Sequence, residues 1–283
     1  MTLPKLVEDP AKEPFAGILY SIPGAGKTRL AAASTAVFGP AVYFPLDHRG
    51  MESIMPKHLK DLRVVKFTDP SWVNRMNEIA IHPWKKDYPD ATTLIVDTLT
   101  TGAKGMLQEA ANKAWFRGKE GDGHIQFGPK DAAITQKIPS ISDYGGAKWL
   151  VENWLEILFR TQVGMHIIIL CHEDLDIPKK EEVHALTVGG PATFGRKLLT
   201  ELPAWFPTIV RLKVEDQTGL DGKPRSRYTA VSAMQGAYIA RVREGLDGGN
   251  PMPVVVLDPD GENFWRKYVA SFMPWIREGV VAA

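Results

Sequence analysis

Eight residues, Ser21-Ile22-Pro23-Gly24-Ala25-Gly26-Lys27-Thr28, constrain this chain more than any other stretch. They follow an apolar run, Phe15 to Tyr20, and precede an Ala-rich run from Arg29 to Val37. The predicted order is strand, glycine loop, helix, the setting that a phosphate-binding P-loop requires. In such a loop, N–H groups of the turn and of the new helix converge on phosphate oxygens. Lys27 would reach the terminal phosphates of ATP, and Thr28 would offer its hydroxyl to Mg²⁺. Pro23, Gly24, Ala25, Gly26, Lys27, Thr28 and Arg29 are the expected nucleotide contacts. The usual pattern opens with Gly, and this chain has Ser21 there; Gly24 to Thr28 are intact. The plainer alternative is a chance Gly-Lys-Thr on an ordinary turn, and the flanking strand and helix weigh against it.

A P-loop predicts an acidic partner at the end of a nearby buried strand. Thr92 to Thr98 supplies it: Leu94-Ile95-Val96 is a short apolar run, as a central parallel strand should be, and Asp97 ends it. A carboxylate there can help hold Mg²⁺. The alternative is an Asp that caps a helix starting near Thr100. Two further strand tips carry polar groups. The run from His166 ends in His172-Glu173, which makes His172 a candidate γ-phosphate sensor or else a histidine bonded to backbone. The run Ala41 to Leu46 ends at Asp47, which either orients the attacking water or forms a turn before Arg49-Gly50.

The alternation continues along the chain. Strands are expected near 15–21, 41–46, 62–67, 92–97 and 166–172, and helices near 27–37, 70–81, 101–116, 145–161 and 194–202. This implies an α/β fold with a mostly parallel central sheet flanked by helices. After residue 205 four strands follow, at 209–214, 227–231, 238–243 and 254–257, a C-terminal antiparallel β extension. A final amphipathic segment, 262–278, carries Trp265 and Trp275. Three regions result: an arm over 1–14, a core over 15–245, and a strand and helix over 246–283 packed on it. Residues 117–142 and 173–193 show little periodicity and read as long loops. The eight tryptophans, Trp149 and Trp154 among them, read mostly as core.

Composition narrows the partners. The 283 residues carry a net charge of +1, so any nucleic-acid surface must be a local patch. Cys171 is the only cysteine, which fits a reducing compartment. With no secretory signal and no apolar run near the ~20 residues that span a bilayer, the chain reads as soluble and cytoplasmic, without a membrane partner.

These positions together resemble the RecA-like P-loop ATPases, most closely the small phage-encoded ones associated with single-strand annealing. The resemblance covers about residues 15–245. It rests on the P-loop near the N-terminus, the strand ending in Asp97-Thr98, Asp143-Tyr144-Gly145 before a long helix, and the strand ending in His172. It implies a RecA-like fold, Mg²⁺-dependent ATP hydrolysis, and a homo-oligomeric ring or filament on single-stranded DNA, with a single-strand-binding protein as a further partner. It implies water activation by Asp47, which stands where that family has a glutamate. Ala240-Arg241-Val242-Arg243-Glu244-Gly245 is similar to an element whose basic side chains reach a neighbouring subunit's nucleotide. Arg241 and Arg243 would then be fingers acting in trans; on the residues alone they read as a basic edge strand. The expected DNA contacts are residues 117–142 and 173–198. One offers Arg117, Lys119, Lys130 and Lys137 with Phe116 and Phe127. The other offers Lys179, Lys180, Arg196 and Lys197 with Phe194. Interspersed acids also allow a simple solvated loop. A nucleotide-gated helicase-loader or packaging protein and a small-molecule kinase are the alternatives, although no Arg-rich lid for a second substrate is apparent.

Overall fold

The computed structural model describes residues 14–47, 50–113, 124–127, 134–137, 139–176, 188–192, 202, 205–218, 224–233, 238–240 and 254–269. The first strand, β1 (Ala16–Ser21), enters the P-loop and continues into α1 (Lys27–Ala33) and α2 (Thr35–Phe38). Then follow β2 (Ala41–Pro45), α3 (Pro56–Leu59), β3 (Leu62–Val64), α4 (Trp72–Ile81), α5 (Trp84–Asp87), β4 (Thr93–Asp97) and α6 (Leu99–Asn112). A hairpin, β5 (His124–Phe127) with β6 (Ile134–Lys137), precedes the long α7 (Ile141–Thr161). The chain returns through β7 (His166–Asp176), β8 (Val188–Pro191), β9 (Thr208–Thr218), β10 (Pro224–Val231) and β11 (Val254–Val256).

One sheet runs in the order β11-β10-β9-β1-β7-β4-β2-β3, with β8 paired to β7. From β9 across to β3 neighbouring strands run parallel, and β10 and β11 add antiparallel. This is the expected α/β architecture with its C-terminal antiparallel extension. The central parallel strands are mostly apolar, Ile18-Leu19-Tyr20, Ile167 to Leu170 and Leu94-Ile95-Val96 among them, because both faces are covered. On one face α4, α6 and α7 bury Met76, Met106, Trp154 and Leu158 against Val42, Leu94 and Ile169. Two glycines in α6 permit this packing. A Cβ on Gly105 would lie 2.2 Å from the Trp72 ring, and one on Gly102 would lie 2.5 Å from the Met76 sulfur. On the other face α1 buries Leu30 to Ala33 against Tyr43, Ile95 and Leu170. A π-helical turn (Phe264–Val269) closes that layer, and the Trp265 indole N–H donates to the Leu30 carbonyl at 2.6 Å.

Several expectations shift. The helix over 101–116 is α6, starting at Leu99. The helix expected from 145 begins at Ile141, where Ser140 and Asp143 form a capping box. The interval 117–142 holds the β5–β6 hairpin, and 173–193 holds β8. Of the strand expected over 238–243, the described part makes a single bridge, Tyr238 to Gly189. The arm over 1–13 lies outside the described residues, as do 270–278 and, except for Leu202, the helix over 194–202. Trp154 is 1% exposed, but Trp149 is 58% exposed and is not core. No helix among the described residues is long and apolar enough to cross a membrane.

Candidate functional site at the sheet's C-terminal edge

The parallel register brings the strand tips level. Ser21 stands beside His172, and Leu170, Asp97 and Pro45 share one line across β7, β4 and β2. Because side chains alternate, Tyr43 and Asp97 point to the α1 face of the sheet, into the space under the P-loop. The loop itself needs glycine for its backbone. Gly24 and Gly26 have φ of 82° and 85°, the left-handed region.

Lys27 is 6% exposed, and its ammonium donates to the Ser21 carbonyl (3.1 Å), the Ser21 hydroxyl (3.2 Å) and the Ile22 carbonyl (3.1 Å). Ser21, the departure from the usual pattern, thus supplies a hydroxyl acceptor for the lysine. Burial holds the Lys27 pKa below its ordinary value, and the carboxylate of Asp97 opposes that. The Thr28 hydroxyl donates to Asp97 Oδ2 at 2.6 Å, and the Tyr43 hydroxyl donates to the same oxygen at 2.7 Å. Asp97 is 2% exposed. Burial pushes its pKa up, and the bonds from Thr28 and Tyr43 offset only part of this. Asp97 is not the cap of α6: Thr98 is, accepting from the Thr101 N–H at 3.3 Å.

Asp47 and His172 also come together. His172 Nε2 lies 3.3 Å from Asp47 Oδ2, and the two side chains are 28% and 27% exposed. The Thr101 hydroxyl donates to Asp47 Oδ1 as well. Burial raises the Asp47 pKa, but the hydrogen bonds from His172 and Thr101 outweigh it and hold the carboxyl below its ordinary value. Asp47 therefore contributes stability above its unfolded titration range, and this is lost as pH falls through the lower folded value. His172 Nδ1 is buried with no partner among the described residues, an orphaned polar atom at the edge of the site.

Asp47, Asp97 and His172 line one cavity of about 900 Å³, together with Pro23 to Leu30 and a wall from β10, β11 and the turn after it. The donor set fits Mg²⁺ held with a nucleotide. Thr28 and Asp97 offer hard oxygens, and the rest of the coordination would come from phosphates and water. No cluster of three or more His, Cys, Asp or Glu that could hold a metal alone occurs among the described residues.

Behind His172, on the opposite face of β7, Glu173 pairs bidentately with Arg211 on β9 (2.8 and 2.7 Å). The Arg211 guanidinium lies 3.2 Å from the centroid of the Tyr238 ring. The Tyr20 hydroxyl donates to the Ile239 carbonyl at 2.6 Å. The segment leading to residue 241 is thereby tied to the strand that launches the P-loop. Arg241 and Arg243 themselves lie outside the described residues. So do Arg117, Lys119, Lys130, Lys179, Lys180, Arg196 and Lys197. Cys171 is buried with its thiol pushed up to about 12 by burial, so it is not a reactive thiol.

Sequence reading missed Tyr43, Thr101 and the β10–β11 wall. Tyr43 was recoverable: it pairs with Ile95, two residues from Asp97 on the same face. Thr101 carried a weaker signal, a hydroxyl in the first turn after Asp97.

A glycine loop, a buried lysine and a hydroxyl–carboxylate pair at the edge of a parallel sheet define an α/β P-loop nucleotide-binding protein. The family model described as "AAA domain" matches residues 13–238, and the chain belongs to that family, a P-loop ATPase. No curated protein matches the chain. Among solved structures, a prototypical ATPase from the type III secretion system of pathogenic bacteria is similar at 11% identity and a TM-score of 0.42. The match covers 71% of this chain and 52% of the other, so this chain spans about half the length of that neighbour.

Proposed function

We propose that this chain is a Mg²⁺-dependent, RecA-like ATPase that binds single-stranded DNA and promotes annealing or recombination of phage DNA. The observation that carries the hydrolytic half is the convergence of Lys27, Thr28, Asp97, Asp47 and His172 on one cavity. Lys27 and the loop amides hold the phosphates, and Thr28 and Asp97 hold the metal. Bound Mg²⁺ supplies positive charge to the phosphate oxygens. Asp47 orients water toward the γ-phosphorus and accepts its proton as the bond to the β–γ bridging oxygen breaks. His172, which contacts Asp47, exchanges that partner for the γ-phosphate and so reports its presence. The ATPase core takes in 15–245, with 1–14 as an arm and 246–283 packed on the core. It works in the cytoplasm as a homo-oligomeric ring or filament. Arg241 and Arg243 reach the neighbour's nucleotide, and a single-strand-binding protein is a further partner.

The DNA half is supported by the resemblance to phage annealing ATPases and by the basic and aromatic residues of 117–142 and 173–198. Steady-state ATP hydrolysis is expected to rise several-fold with single-stranded DNA and to show steep salt dependence. Tight ATP binding with turnover indifferent to DNA would sink the DNA reading and favour a protein-gated switch.

Asp47→Asn is expected to lower kcat by about 10²- to 10⁴-fold, the usual range for losing a general base. ATP affinity should hold, because Asp47 bonds to His172 and Thr101 rather than to the loop. Single-turnover assays beside equilibrium binding separate the two; an equal loss of affinity would reassign Asp47 to binding. Since the carboxyl titrates below its ordinary value, wild-type turnover should not fall between neutral and mildly acidic pH on account of Asp47.

A further inference from the structure

The cavity is longer than a row of phosphates requires. Pockets of about 300–1,000 Å³ enclose whole small-molecule ligands, and this one, about 900 Å³, extends from the P-loop to β10 and β11. Its loop end is polar. Its far wall brings the apolar side chains of Tyr228, Leu257 and Pro259 together with polar ones, Arg225, Arg227 and Asp258 among them.

That wall is firmly built. Thr229 to Val231 pair with Val254 to Val256, and the Leu257 N–H donates to the Tyr228 carbonyl at 2.9 Å. The following turn is closed by Asp258 and Asn263, each accepting the other's backbone N–H (3.2 and 3.1 Å). Gly261, at φ +78°, presses on α1, where a Cβ would lie 3.0 Å from Leu30.

Tyr228 stands nearest the loop. A Cβ on Gly26 would lie 3.9 Å from its ring. It shares a face of β10 with Ala230, which is packed in the core on the α1 side, so alternation aims its ring to that side. The ring is half-buried, and the hydroxyl makes no hydrogen bond among the described residues. A tyrosine held for structure finds a partner for its hydroxyl when buried, as Tyr20 and Tyr43 do here. Tyr228 instead offers an aromatic face to a cavity whose other end binds phosphate.

We propose that Tyr228 is the nucleobase platform of this ATPase: the base of the bound nucleotide stacks on its ring, beside Leu257. The proposal rests on the P-loop nucleotide reading above. It is tested by titrating ATP and inorganic tripolyphosphate into wild-type protein, Tyr228→Ala, Tyr228→Phe, Tyr228→Leu and Lys27→Ala, each checked by thermal melt. Base–aromatic stacking predicts that Tyr228→Ala weakens ATP about 5- to 150-fold. Tripolyphosphate affinity should be unchanged, and Tyr228→Phe should match wild type. If Tyr228→Ala fails to fold, Tyr228→Leu keeps the bulk without the aromatic face, and the same selective loss is expected of it. Equal weakening of both ligands, or a Phe variant as weak as the Ala variant, would reassign Tyr228 to the phosphates and overturn the platform. Undiminished ATP binding by Tyr228→Ala, or by Tyr228→Leu where that variant stands in, also overturns it. Failure of the parent reading looks different: wild type would bind neither ligand, or Lys27→Ala would bind both as wild type does, and the platform falls with it.

Discussion

Lys27→Ala is expected to abolish ATP hydrolysis and erase the thermal stabilisation conferred by ATP, while leaving the nucleotide-free protein at least as stable as wild type. The two halves of this result have separate causes. The ammonium is buried, its hydrogen bonds go to uncharged oxygens of the loop, the carbonyls of Ser21 and Ile22 and the Ser21 hydroxyl, and the Asp97 carboxylate offsets only part of the burial. Burial depresses its pKa, so its charge opposes folding at neutral pH. Removing it relieves that cost. With nucleotide, the same ammonium faces several negative charges in a water-poor site, where such a contact is strongest. Losing one preorganised donor to developing charge costs about 10²- to 10³-fold in turnover. Ligand at 100 times its Kd stabilises a fold by about 2.7 kcal/mol, so the lost shift is readable by scanning calorimetry with and without ATP. A variant that still melts higher with ATP would show that Lys27 does not hold the phosphates.

Asp97 is expected to separate stability from activity more sharply. Its folded-state pKa is raised, so the proton-bound form is favoured by the fold, and the ionised form costs stability as pH rises through that value. Asp97→Asn keeps an acceptor for the hydroxyls of Thr28 and Tyr43 and removes the charge. It should melt no lower than wild type at neutral pH. Asp97→Ala removes the acceptor from two buried donors and should lose about 1–3 kcal/mol for each hydroxyl left unsatisfied. Both variants should lose hydrolysis by at least about 10²-fold, since a neutral side chain cannot help hold the metal. Calorimetry and a Mg²⁺ titration of turnover on the same preparations read both effects. An Asn variant that turns over normally would remove Asp97 from the metal site, whatever its stability.

The features legible in the sequence were those written locally. The glycine loop declares itself in eight residues because its backbone conformation is set by Gly24 and Gly26. Asp97, Asp47 and His172 were legible because an apolar run that stops at a polar residue marks a strand tip, and parallel strands of one sheet end on one edge. What pairing decides was not legible. Tyr43 reads as core in an apolar strand until β2 is laid beside β4. Tyr228 sits about 200 residues from the P-loop and reaches it only because β9 pairs with β1, carrying β10 over the loop. Composition misled at Trp149, whose helical neighbour Trp154 is buried while it is exposed. The β5–β6 hairpin hid in a stretch too rich in glycine and lysine to show a period of two.

The two outer strands of the sheet carry a consequence for how copies of this protein can meet. Among the described residues, the sheet's outer strands β3 and β11 are each three residues long. An open edge of that length offers a few backbone rungs, too short a template for a second chain to continue the sheet. In the proposed ring or filament, these described edges favour joints through side chains on faces and loops, whose fit nucleotide occupancy can alter, over a continuous ladder of main-chain bonds. Such joints can open at every turnover, whereas a fused sheet would not.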